Sequence, residues 1–280
     1  YRNRNFLLAL RSFSGGVVFR HIYKAVRIFE ISTRALRHRG LADPYFSSTQ
    51  QIYYSKKGQK MLQWAYYMVI THHGGQCFKV TFGDLTLVFN PINKGASLPS
   101  VRFGADIALV SRDHPDMNGV SEVTYGEKVP FAITGPGEYE RQGIVIQGFL
   151  SKSKYGLTKG QTEAVNTIYS VELEDMTLVH LGALADTELS QEARESIDDI
   201  DVLFVPVGDD GVLSAADAHK LAVSLEPKII VPMHWSGIGE PKTLDAFLKE
   251  SGGGSEKVDK LTLKKNDLIG RDGSILVITS

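Results

Sequence analysis

Short β-rich runs separated by turn residues fill the chain from Met68 onward, and they leave few architectures open. Strands are expected at Met68–Thr71, Cys77–Phe82, Leu85–Asn90, Ile107–Ser111, Phe131–Thr134, Ile144–Phe149 and Thr167–Glu172. A second series follows at Thr177–His180, Val202–Pro206, Ile229–Met233, Val258–Lys264 and Ser274–Ile278. Gly83-Asp84 reads as a hairpin-like turn, and Gly135-Pro136-Gly137 ends a strand sharply. Helical patterns come late: Ser190 to Ile197 with Ser190 as the cap, Ser214 to Leu225, and Leu244–Lys249. Gly252-Gly253-Gly254-Ser255 reads as a flexible connection to the last strands. Strands first, then strands alternating with helices, predict a layered α/β architecture of two sheets packed face to face with helices outside. Runs such as Val202-Leu203-Phe204-Val205 lack polar alternation, as strands covered on both faces do.

The net charge of −1 conceals an uneven distribution. Residues 1–60 hold 12 Lys/Arg against only Glu30 and Asp43, so this segment carries +10 and the remainder −11. Three readings of residues 1–60 compete: a basic arm on nucleic acid or an anionic membrane, an organelle transit peptide, and a loose or non-native extension. The third is adopted, because the chain opens on Tyr1 and Met68 would serve as the start of a domain. A domain over 61–280 would then stand alone, and its acidic balance argues against nucleic-acid binding except through 1–60. One cysteine, Cys77, excludes an intrachain disulfide and favours a reducing compartment, hence a cytoplasmic protein. No apolar run approaches the roughly 20 residues that span a bilayer.

The segment from Ile107 to Asn118 is the most informative for chemistry. It reads as a buried strand entering a tight turn that presents His114 and Asp116. The plain structural reading is a helix start, with Pro115 in the first turn and Asp116 near the positive helix end.

In order along the chain stand Ile70-Thr71-His72-His73-Gly74-Gly75, Leu87-Val88-Phe89-Asn90-Pro91, Arg112-x-His114-x-Asp116-Met117, Gly135-Pro136-Gly137-Glu138-Tyr139-Glu140, His180-Leu181-Gly182-Ala183 and Pro232-Met233-His234-Trp235. The series resembles the metallo-β-lactamase superfamily over residues 68–280, in a branch similar to the ascorbate-6-phosphate lactonase-like proteins. That resemblance implies a four-layer αββα sandwich and metal-dependent hydrolysis of a small lactone or phosphoester. It also exposes departures. Arg112 stands where relatives carry a metal-binding His, Met117 where they carry another, Ala183 replaces a bridging carboxylate, and Asn90 replaces a nearby one. No His between Gly135 and Gln161 matches the third motif.

The resemblance assigns His114 to one metal position and Asp116 and His234 to the other. A hydrolase needs imidazole and carboxylate ligands that leave an open position for water. Arg112 cannot ligate, and the Met117 thioether is a poor match for zinc. The enzyme reading is therefore one Zn²⁺ or other divalent ion on His114, Asp116 and His234, with Glu138 or His73 handling protons and His72 assisting. The rival reading is a metal-free binding protein in which Arg112 takes a small anionic ligand or partner in the former cleft. Asp116 could instead pair with Arg112 and neutralise it. Ligand inventory favours the metal-free cleft, and fold alone does not decide.

Overall fold

The computed structural model describes the backbone of residues 49–54 and 60–65 and all of residues 67–279. The first two strands, β1 (Thr49–Tyr54) and β2 (Lys60–Ala65), pair antiparallel as a separate hairpin across the expected boundary near residue 60. The reading of residues 1–48 lies outside the described residues.

A six-stranded sheet runs in the order β15 (Leu261–Leu263), β3 (Met68–His72), β4 (Phe78–Phe82), β5 (Leu85–Phe89), β6 (Ile107–Leu109), β7 (Phe131–Ile133). Its first members are antiparallel, while β5, β6 and β7 are parallel. An eight-stranded sheet faces it, in the order β14 (Ser255–Val258), β16 (Ser274–Ile278), β13 (Ile229–Met233), β12 (Val202–Pro206), β11 (Met176–His180), β10 (Ala164–Leu173), β9 (Ile144–Ser153), β8 (Gly137–Arg141). Between the sheets lies the main core, including Phe78, Phe89, Tyr169, Phe204 and Val231. Each such side chain contributes about 1.5–3 kcal/mol of burial.

Helices α1 (Gln191–Ser196), α2 (Ala215–Ser224) and α3 (Thr243–Glu250) cover the outer face of the larger sheet through Ala193, Leu221 and Phe247. This explains why β12 and β13 are buried at every position: they have apolar neighbours on both sides. The Ser190 and Ser214 hydroxyls accept from the backbone N–H of Ala193 and Asp217, as the capping pattern predicts. The smaller sheet's outer face is covered by Ile92, Leu98 and Val101 of the long loop after β5, and by a 3₁₀ turn at Val120–Val123. The molecule is thus an αββα sandwich with one thin outer layer.

Three local expectations are corrected. Val258–Lys264 is not one strand, because the chain leaves the large sheet after Val258 and joins the small one at Leu261. Gly252 and Gly253 are not a free linker; their N–H groups donate to the carbonyls of Lys249 and Leu248 and close α3. No helix follows Asp113. The N–H groups of Met117 and Asn118 both reach the His114 carbonyl, and the chain then turns away after that single turn. Among the described residues no helix is long and apolar enough to cross a membrane.

Candidate functional site

The C-terminal ends of β5, β6, β11 and β13 deliver Asn90, the 111–117 turn, Gly182-Ala183 and His234 to one end of the sandwich. The carboxyl ends of parallel strands are where open α/β sheets place their ligands. Asn90 and His234, each the first residue past its strand, have φ of 46° and 63°. Left-handed backbone at non-glycine residues costs about 1 kcal/mol or more, so the surrounding bonds must impose it.

Those bonds form a directional relay. The backbone N–H of Ser111 donates to Asn90 Oδ1 at 2.8 Å, which fixes the orientation of that amide. Asn90 Nδ2 then donates to Gln76 Oε1 at 2.9 Å and to Ser111 Oγ at 2.9 Å. With its oxygen engaged, Gln76 turns Nε2 toward His234 Nδ1 at 2.7 Å. An amide NH₂ only donates, so Nδ1 accepts and the proton of the neutral ring sits on Nε2. Burial pushes the His234 pKa down to about 3, so the ring is neutral across ordinary pH, although Asp116 opposes the shift. Its Nε2 is buried without a hydrogen-bond partner, and the Tyr155 ring stands perpendicular to it at 4.7 Å.

Asp116 is buried, and each of its oxygens has one donor. Oδ1 accepts from the Ser97 N–H at 2.8 Å, and Oδ2 from the Tyr155 hydroxyl at 2.6 Å. Burial and the Asp116 bond drive the Tyr155 pKa far upward, so its proton stays in place. His114 Nδ1 faces the N–H and Oδ2 of Asp116 at 3.3 and 3.4 Å, while its Nε2 edge lies against Gly156. Burial lowers the His114 pKa, with Asp116 opposing. Met117, Tyr155, Ala183 and Val212 make a small apolar cluster beside these groups.

A metal ion fits this arrangement poorly. His234 Nε2 carries a proton in place of a lone pair, the Arg112 charge acts on His114 in opposition to a cation, and the side chains of Met117, Tyr155, Ala183 and Val212 occupy the neighbouring space. Among the described residues no three His, Cys, Asp or Glu side chains gather around one point.

Arg112 is only 6% exposed, and its Nη2 donates to the Gly156 carbonyl at 3.2 Å while Nε has no partner. It forms no ion pair, so the expected pairing with Asp116 is not made. Burial lowers its pKa, though a guanidinium remains charged. Arg112 and His114 line a cleft of about 560 Å³ together with Asp113, Thr134, Thr158 and Gln161.

The structure thus brings Arg112, His114, Asp116 and His234 together. It does not bring His72, His73 or Glu138 to them. The His72 nitrogens approach the carbonyls of Ile278 and Gly75, and its ring stacks on Phe78 at 4.7 Å, a tether between sheets. His73 packs against Phe103, and burial followed by the charge of Lys79 lowers its pKa to about 4. Glu138 is exposed on the edge strand β8, and its side chain makes no hydrogen bond or ion pair. His180, as its strand position suggests, is a core residue stacked on Phe89 at 4.8 Å. Sequence reasoning missed Gln76 and Tyr155. A glutamine between Gly75 and an apolar strand was a usable signal, whereas Tyr155 sits in a loop with none.

An αββα sandwich with its polar cluster at the strand ends defines the metallo-hydrolase class of folds. The profile of the beta-lactamase superfamily domain matches residues 69–234, more than half of the chain, and the chain belongs to that superfamily. It is 26% identical over 197 residues to a UPF0173 metal-dependent hydrolase of Enterococcus faecalis, covering 60% of this chain and 87% of the relative. A Bacillus subtilis relative, the UPF0173 metal-dependent hydrolase YtkL, is 25% identical over 199 residues, covering 60% and 86%. A metallo-beta-lactamase superfamily structure from Thermotoga maritima superposes with a TM-score of 0.58 at 27% identity, over 75% of this chain and 98% of that one. The metallo hydrolase Igni18 of Ignicoccus hospitalis shares the fold, with a TM-score of 0.52 at 15% identity over 71% and 99%.

Proposed function

We propose that this chain is a metal-independent member of the superfamily whose strand-end cleft binds a small anion on Arg112. One observation carries the reading: a largely buried arginine lines an open cleft, makes no ion pair and leaves its Nε without a hydrogen-bond partner, the Asp113 carboxylate of the same cleft acting on it only through space. Removing a charge from water costs several kcal/mol unless a partner is supplied. Phosphate and carboxylate match the guanidinium fork in shape and charge. Thr134, Thr158 and Gln161 offer neutral hydrogen-bonding groups on the same cleft.

The relatives' description as metal-dependent hydrolases supports a second reading, hydrolysis of a lactone or phosphoester with one divalent ion on His114, Asp116 and His234. It would require the His234 proton to move from Nε2 to Nδ1, a change that the anion reading does not need.

Calorimetric titration of the full chain with inorganic phosphate and with acetate tests the proposal. Binding of at least one is expected, with a loss of about 10- to 100-fold in Arg112→Met, the worth of a charged hydrogen bond. Equal affinity in that variant, or no binding of either anion, would overturn it.

A further inference from the structure

The cleft is far larger than an inorganic anion needs, and the wall away from Arg112 carries no charge. Ala164 and Val165, at the start of β10, line it. Val165 is 59% exposed despite belonging to the strand face that further along supplies Tyr169 and Val171 to the core. Leu150 of β9, 57% exposed, is in register with Thr167. Cross-strand partners share a face, and residues two apart on a strand do too, so Leu150 and Val165 are diagonal neighbours on one face, with Lys152, drawn to Glu163 at 2.9 Å, directly opposite Val165. A single exposed apolar side chain is ordinary on a protein surface. Val165 on the cleft wall with Leu150 on the same sheet face just beyond it gives an apolar group in the cleft a surface to cover.

We propose that the cleft takes an amphipathic anion: a phosphate or carboxylate head on Arg112, and a short apolar body along Ala164 and Val165 that extends toward Leu150. This deepens the anion reading above and rests on it. About 560 Å³ lies within the common range for small-ligand pockets, roughly 300–1,000 Å³, and leaves room for several carbons beyond the head group. The polar ends of Thr134, Thr158 and Gln161 border the same space, so specificity for the head can be set there while the shoulder selects for the body.

Two homologous probe series test it by calorimetry on the full chain: inorganic phosphate, methyl, ethyl and butyl phosphate, and acetate, butanoate and hexanoate. Affinity is expected to rise about two- to fourfold per methylene in at least one series, the increment for partial to full burial of a CH₂. The series that binds identifies the head group. In a Leu150→Thr/Val165→Thr double variant, which keeps β-branched residues on exposed strand positions, the rise with chain length should vanish. Arg112-dependent binding that is flat with chain length would overturn this inference and leave the anion reading standing. A rise that persists in the double variant would overturn the assignment of the apolar wall. Failure of every probe to bind would remove both readings together.

Discussion

Replacing Asn90 by aspartate should move the proton of His234 from Nε2 to Nδ1. In the present chain the order of donors is dictated from the backbone: Ser111 N–H to Asn90 Oδ1, Asn90 Nδ2 to Gln76 Oε1, Gln76 Nε2 to His234 Nδ1. Protonating Nδ1 would set a donor against a donor at one of these links and leave two buried N–H groups unsatisfied. Each costs about 1–3 kcal/mol and the Nε2–H form already leaves one, at Nε2, so that form is favoured by about 1–3 kcal/mol, or about 5- to 150-fold. A carboxylate at position 90 has no donor to offer. It accepts from Ser111 N, Ser111 Oγ and a reversed Gln76 amide, whose oxygen then faces His234 and accepts from Nδ1–H. The same penalty now favours the opposite tautomer. Gln76→Glu reaches that end by an independent route, since it leaves Asn90 in place and puts an acceptor beside Nδ1. Long-range ¹H–¹⁵N spectra of ¹⁵N-histidine-labelled protein separate protonated from bare ring nitrogens, and the signal lost in His234→Asn identifies the residue. Asn90 is nearly fully buried, so its aspartate variant loses stability, and an amide fingerprint spectrum must show that each variant is folded. Nδ1–H in the unsubstituted protein, or Nε2–H persisting in both folded variants, would refute the relay.

Tyr155→Phe should cost about 1–3 kcal/mol in urea denaturation, because it strips a buried Asp116 oxygen of its donor at 2.6 Å; an unchanged midpoint would mean that water replaces the hydroxyl. Arg112→Met should raise stability by about 1–2 kcal/mol in the same assay while weakening phosphate binding, since it deletes an unpaired buried charge; loss of stability would argue that the guanidinium is already compensated. His180 and His234, both held near a pKa of about 3 by burial, take up protons more readily when unfolded. Their contribution is therefore fully present above the unfolded pKa of about 6.5 and is lost as pH falls from there toward 3, reaching about 2 kcal/mol per residue at pH 5. His180→Asn should make the stability curve between pH 7 and 5 shallower by one proton, and an unaltered slope would contradict the assignment. After incubation with Zn²⁺, Mn²⁺ or Fe²⁺ and desalting, plasma mass spectrometry of the full chain should find well under one ion per chain. Near-stoichiometric retention would return His114, Asp116 and His234 to a ligand role.

The strands that were legible in the sequence have a buried face or two. β12 and β13 announce themselves as unbroken apolar runs, and the Ser190 and Ser214 caps mark helix starts by local chemistry alone. β8, Gly137–Arg141, was missed because an edge strand with exposed glutamates and an arginine has no apolar face to alternate. Val258–Lys264 was read as one strand because pattern reports strand character but not which sheet a residue joins. The site divides in the same way. Arg112, His114, Asp116 and His234 could be found by position in an ordered series of motifs. Which of them meet, and which donors satisfy them, depends on contacts such as Gln76 to His234, 158 residues apart in the chain. No local pattern encodes those. His72 and His73 show the converse, since histidines at the right place in sequence point at a carbonyl and an aromatic ring rather than into the cleft.

The strand ends of this fold concentrate backbone and side-chain polar groups that need partners whether or not an ion is present. Here neutral amides and one phenol supply them: Asn90 and Gln76 bind the Ser111 and His234 groups, the Asn166 oxygen takes the Ala183 N–H at 2.7 Å, and Tyr155 takes Asp116. Such a network satisfies these groups from within the protein, and a metal on His234 Nε2 would have to turn its tautomer. The accounting is incomplete at two places in this cluster, Arg112 Nε and His234 Nε2, which are two of the four buried side-chain polar atoms left without a partner among the described residues. Buried polar atoms are almost always paired, so orphans mark function or a missing ligand. The His234 orphan is neutral and costs little beside an aromatic ring. The Arg112 orphan belongs to a full charge on an open cleft, which is why the proposed anion is placed there.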